Sequence, residues 1–172
     1  MRVTALSLDP ASADAATPLR AESLSAANIN PKTWLATDYL NHFNEAIMLL
    51  ELFVSDPSCR DDLLAWHPKT YREHFATSRF KDRQVALAAY DAADPVARKD
   101  LEQLSDMMSV VLQATCTAMR ADLAEGEARA LAGSVVSGLK PLVARAGAVI
   151  NGETTANPNS QSTVDSLLNR AS

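Results

Sequence analysis

The chain has 172 residues, enough for one domain with a sizeable core, and 47% of them are hydrophobic although only 5% are aromatic. The net charge is −5 and no basic cluster occurs, which argues against nucleic acid as a partner, since phosphate binding needs concentrated Lys and Arg. Ala and Leu dominate the apolar residues and there are five glycines, so the expected class is all-α: a helical bundle built on a long antiparallel hairpin, with flexible N- and C-terminal segments.

Residues 1–30 are rich in Ala, Ser, Thr, Asp and Pro without a sustained period, and a flexible arm is expected there. The opening MRVTALSLDPAS is too interrupted for a signal peptide, and the richest apolar window, Ala46 to Val54, is far shorter than a membrane span. Cys59 and Cys116 lack metal or redox spacing, and buried structural thiols are the expectation. A cytoplasmic protein with no membrane partner follows as an expectation.

The core is expected over 31–150. Ala36, Tyr39, Leu40, Phe43, Ala46, Ile47, Leu50, Phe53 and Val54 recur at three and four, predicting a helix over 33–54 that ends at Asp56-Pro57. Ser58 with Asp61 predicts a capped short helix through Trp66, stopped at His67-Pro68. Thr70 and Glu73 form a T-x-x-E capping box for a segment reaching about Phe75, and an Ala-rich helix is predicted over 80–93. The aromatic residues Trp34, Trp66, Tyr71, Phe75, Phe80 and Tyr90 are expected to pack beneath these short elements.

Asp94 and Pro95 suit the N-cap and first turn of a long helix over 95–124. Its Ala97, Leu101, Leu104, Met108, Val111, Thr115 and Ala118 alternate at four and three, a heptad-like seam. Gly126 is expected to separate it from a last helix over 127–150, which carries Leu131, Val135, Leu139, Leu142, Ala146 and Val149 on one face and Pro141 as a kink site. Residues 151–160 have linker composition, and 161–172 suit a short terminal helix.

That last segment reads Ser-Gln-Ser-Thr-Val-Asp-Ser-Leu-Leu-Asn over 160–169. It resembles the peptide by which the chemotaxis phosphatase family CheZ and the flagellar switch family FliM bind a CheY-like response regulator, with Gln161, Val164, Asp165, Leu167 and Leu168 in matching order. The resemblance implies a bacterial two-component signalling protein that docks a receiver domain, with Val164, Leu167 and Leu168 entering a groove and Asp165 orienting the helix. It covers about ten residues. The F-Q-D-L-T-G-Q stretch of CheZ is absent, and Asp100-Leu101-Glu102-Gln103 is the nearest approach, one residue short in spacing.

Asp38 and Asn41 have the D/E-x-x-N spacing of aspartyl-phosphate phosphatases such as the CheC and CheX group, which puts both side chains on one helical face. That resemblance implies an amide orienting a water and a carboxylate engaging the receiver, with no intrinsic cofactor and Mg²⁺ supplied by the receiver partner. Asp38, His42 and Glu45, with Glu73 and His74 on another segment, offer a carboxylate–imidazole alternative for metal binding, although Glu73 and His74 diverge on a helix. A phosphate-accepting role for His42 lacks the Lys and Gly that follow such a histidine. A non-catalytic helical adaptor or oligomerisation module, a homodimer included, is the reading from a different class.

Overall fold

The computed structural model describes residues 24–25, 27–121, 123–153, 165–166 and 168–169, and everything stated below concerns these. They form an all-α bundle whose only β-type pairing is a single bridge between Ile29 and Ala36. Six α-helices follow in order: α1 Leu40–Ser55, α2 Arg60–Ala65, α3 Tyr71–Thr77, α4 Arg83–Asp91, α5 Pro95–Arg120 and α6 Glu125–Ile150. Single 3-10 turns, Thr37–Tyr39 and Pro57–Cys59, lead into α1 and α2.

The three long helices make one half of the molecule. α6 packs against both α1 and α5, because apolar residues at helical spacing can leave water only by facing one another. The seam positions Leu101, Leu104, Met108, Val111 and Thr115 of α5 are buried, as are Leu131, Val135, Leu139, Leu142, Ala146 and Val149 of α6. Ala97 and Ala118, at the ends of the seam, are half-buried. A second stripe on α5, Leu112, Cys116 and Met119, is buried on its other flank. Cys116 points its thiol at the Leu63 carbonyl of α2, and burial raises its pKa, so it is an inert packing residue. Cys59 is half-buried and, like Cys116, unbridged.

The boundaries depart from the sequence reading in four places. The first long helix begins at Leu40 rather than near residue 33, because Asn30–Thr33 closes a turn on its own side chain and Trp34 adopts φ 61°. A left-handed φ is rare for a bulky residue, and here Trp34 is held by N–H donation to the Asn30 carbonyl at 2.7 Å and indole donation to the Pro31 carbonyl at 3.1 Å. Leu24, Ala27 and Ile29, given to a flexible arm by composition, are buried core residues. The remainder of that arm, 1–23, lies outside the described residues.

The cap of the second segment is Asp56, whose carboxylate accepts the Ser58 N–H at 3.0 Å, rather than Ser58 itself. α5 stops at Arg120, and Gly126 is the second residue of α6 rather than the hinge. At the start of α6 Glu127 reaches back to accept the Ala124 N–H. α6 continues through Pro141. It ends in a Schellman arrangement: Gly152 at φ 71° donates to the Val149 carbonyl, and Glu153 donates to the Ala148 carbonyl. A side chain at Gly152 would meet Thr33 as well as the unfavourable φ. The Thr33 hydroxyl donates to the Ile150 carbonyl at 2.5 Å, and the Thr33 carbonyl accepts the Asp94 N–H at 3.3 Å. Residues 27–36 thus strap the end of the bundle where α5 begins and α6 finishes.

The short helices make the other half. Thr70 caps α3 through the reciprocal bonds the sequence predicts, with its hydroxyl facing the Glu73 N–H and the Glu73 carboxylate accepting the Thr70 N–H at 2.8 Å. Arg60 and Arg120 staple α2 to α5 by donating to the Met119 carbonyl at 2.6 Å and the Leu64 carbonyl at 2.9 Å.

Candidate functional site

The candidate residues converge where the Thr37–Tyr39 turn, the start of α1, α3 and loop 66–70 meet. Asp38 and Asn41 share one face, as their spacing requires: the Asn41 amide donates to Asp38 Oδ1 at 2.9 Å. Asn41 is exposed and Asp38 half-buried. The other carboxylate oxygen of Asp38 lies 3.5 Å from His74 Nε2. That nitrogen is buried with no hydrogen bond of ordinary geometry, so the contact is a long electrostatic one. Burial lowers the His74 pKa more than Asp38 raises it, and His74 is neutral at neutral pH.

His42 sits one turn further along and is almost wholly buried, at 4% exposed. Its ring stacks on Trp66 at 4.8 Å and 20° and meets Phe43 edge-on at 5.4 Å. His42 Nε2 accepts the Lys69 N–H at 3.0 Å, while the Trp66 indole N–H donates to the His42 carbonyl at 3.2 Å. Accepting at Nε2 assigns the neutral ring's proton to Nδ1. Burial, then the neighbouring His74, Lys69 and His67, push the His42 pKa down to about 4.

The carboxylate–imidazole alternative fares less well. His42 and His74 do approach, with ring centroids 6.1 Å apart, but the Glu73 carboxylate is taken up by the α3 cap and Glu45 is exposed. Among the described residues no three His, Cys, Asp or Glu side chains converge as a metal ion requires. His42 and Glu45 instead line a cavity of about 190 Å³ shared with Asp62, Trp66, His67 and Lys69.

A larger groove, about 1000 Å³, runs between loop 66–70 with α3 on one side and α5 on the other. Tyr39, Tyr71, Tyr90, Leu101 and Val110 supply its apolar surface. Tyr71 and Tyr90 stack at 4.3 Å and 14°, and the guanidinium groups of Arg72 and Arg98 lie 5.3 and 5.7 Å from the Tyr90 ring. The Tyr90 hydroxyl donates to Glu102 at 2.5 Å, and burial with that carboxylate raises its pKa. Tyr39 donates to the Lys69 carbonyl at 2.9 Å, and its pKa is pushed up to about 12 by burial. The Tyr71 hydroxyl accepts the Ala36 N–H at 2.9 Å. These tyrosines pack as their positions in the sequence suggest, but the groove they line is not legible there, because its two walls are 25 or more residues apart. The i,i+4 pair Arg98 and Glu102 was the one local signal of its rim.

Of the terminal segment, Asp165 and Ser166 are helical and exposed, and Leu168 is helical and half-buried against the core. Gln161, Val164 and Leu167 lie outside the described residues, as does most of the 151–160 stretch. Asp100 and Gln103 are both on the exposed side of α5. No helix among the described residues is long and apolar enough to cross a membrane. Comparison with protein-family models, with curated proteins and with solved structures gave no match to this chain.

Proposed function

We propose that this is a regulatory interaction protein of two-component signalling, which binds a CheY-like response regulator through its terminal segment and dephosphorylates it at the Asp38–Asn41 pair. The observation that carries the reading is that pair: an exposed amide on the first turn of α1, bonded at 2.9 Å to a carboxylate on the 3-10 turn that leads into it. In phosphoryl transfer assisted by positioning, a fixed amide orients the attacking water and a carboxylate engages the receiver's lysine, and the receiver brings the Mg²⁺. The exposed, helical Asp165 is a supporting feature, since a docking helix needs a polar orienting residue.

The experiment has two arms. A peptide of residues 158–172 should bind a phosphorylated CheY-like receiver more tightly than the unphosphorylated form, in the micromolar range, equivalent to about −8 kcal/mol at 1 μM. Leu167→Ala should weaken binding by roughly 1–3 kcal/mol, and Ser166→Ala should change little. In the full chain, Asn41→Ala should abolish receiver dephosphorylation and leave binding intact, because the amide acts on the water rather than on affinity. An unchanged dephosphorylation rate sinks Asn41.

A second reading, a non-catalytic helical adaptor, is favoured by the open groove beside α5 and by the seating of Leu168 on the core. Absence of receiver binding by both peptide and full chain would put the adaptor in first place.

A further inference from the structure

The contact between His42 and loop 66–70 is unusual for a buried histidine in that its polar partner is a backbone donor. A carboxylate or hydroxyl partner could accept a second proton from the ring or rotate out of its way, whereas the Lys69 N–H can do neither. It points at His42 Nε2 over 3.0 Å, and a proton arriving there sets two donors against each other in a site walled by Trp66 and Phe43. Nothing in the stack offers the new N–H an acceptor, and the remedy available to the chain is to move the loop.

We propose that His42 is a pH-sensitive latch for loop 66–70: protonation of its imidazole releases the loop, and with it the wall of the groove, while the long-helix core stays folded.

The groups that face the ring from each packed element are few. Asp38, on the turn before α1, engages His74. Glu45, one turn along α1, and Asp62 on α2 line the small cavity beside the ring. His67 and Lys69 come from the loop itself, and Glu73 and His74 from α3, with Glu73 held in the cap. His74, Lys69 and His67 all oppose a positive charge on His42 in the closed loop. Opening the loop removes two of them and admits water to the ring, so the proton favours the open state.

The loop is also the element whose release has a consequence. Pro68, Lys69 and Thr70 line the large groove, and Trp66, His67 and Lys69 line the small cavity. The Tyr39 hydroxyl and Lys69 carbonyl bond crosses the groove wall and would part with the loop. α1 itself keeps Phe43, Ala46, Ile47, Leu50 and Phe53 buried, and these do not depend on loop 66–70 for their polar bonding.

The test is hydrogen exchange and NMR titration of the isotope-labelled full chain between pH 7.5 and 3. The Lys69 amide should lose protection on the order of 50-fold between pH 7 and 4.5 after correction for intrinsic exchange, with a midpoint shared by the His42 ring signals. Amides of Met108 and Val135 should keep their protection over the same range. In His42→Gln, which retains an acceptor but binds no proton there, Lys69 protection should be flat with pH. Should that variant fail to fold, the coincidence of the His42 and Lys69 midpoints in the unsubstituted chain decides the matter. Three results overturn the latch: Lys69 stays protected while His42 titrates, Met108 and Val135 lose protection with Lys69, or His42→Gln opens at the same pH.

Discussion

α1 belongs to two different neighbourhoods along its length. From Ala46 to Phe53 its buried face meets α6, and the contact is aliphatic and aromatic side chain against aliphatic side chain. At its first turns, Tyr39, His42 and Phe43 meet loop 66–70 and α3, through stacked rings and single hydrogen bonds to backbone groups. Apolar burial is non-directional and indifferent to pH, so the long-helix half is robust wherever shape is kept. The short-helix half, besides burying Leu63, Tyr71 and Phe75, depends on directional bonds that are each worth about 1 kcal/mol when made and cost more when one partner is left behind. A site that must open or respond is expected in the second kind of packing, and the candidate residues lie there.

The largest effect should come from the first half. Met108→Ala, at a fully buried seam position, should cost about 2–5 kcal/mol in urea unfolding, against under about 0.5 kcal/mol for Leu52→Ala on the open face of α1. Similar losses at the two sites would erase the distinction between seam and surface.

Acid should act on the second half. His42 has its folded pKa depressed to about 4 from 6.5, so the unfolded chain takes up the proton first. The contribution of His42 is therefore fully present above pH 6.5 and drains away as pH falls towards 4, to a total of roughly 1–3 kcal/mol, with His74 acting in the same direction. Equilibrium unfolding at pH 7 and pH 4.5 measures this, and His42→Gln should remove the larger share of the difference.

A smaller, local effect is expected at the α3 cap. Thr70→Ala should cost about 1 kcal/mol and lower hydrogen-exchange protection in α3, leaving α5 and α6 unchanged. The smallest concerns Glu51, whose carboxylate pairs with Lys140 at 2.6 Å on the exposed edge between α1 and α6. Glu51→Ala should shift stability by less than about 0.5 kcal/mol, and high salt should erase that difference.

How legible this molecule was depends on the distance between the residues that make each feature. The seam of α5 and α6, the α3 capping box and the Asp94-Pro95 start of α5 were readable from sequence, because each is written within one helix or one turn. The boundary errors have local causes of another kind. Residue type alone does not foretell the turn that Asn30 closes with its side chain, the left-handed Trp34 or a helix that runs through Gly126. The Asp38–Asn41 pair was legible as a spacing, and its bond to one another follows from the 3.6-residue period.

What the amino-acid sequence by itself determined is therefore the class, the long helices and the faces they bury, since helix propensity and apolar period act between residues a few positions apart. Only the tertiary structure decided that His42 lies under Trp66 with its nitrogen on the Lys69 amide, and that His74 meets Asp38. It alone decided too that Tyr39, Tyr71, Tyr90 and Leu101 enclose one groove. Those partners are separated by 11 to 62 residues of chain, and no periodic signal reaches across such separations. They meet because the short helices settle on apolar surface that the packed long helices provide, and the side chains that share that surface become neighbours.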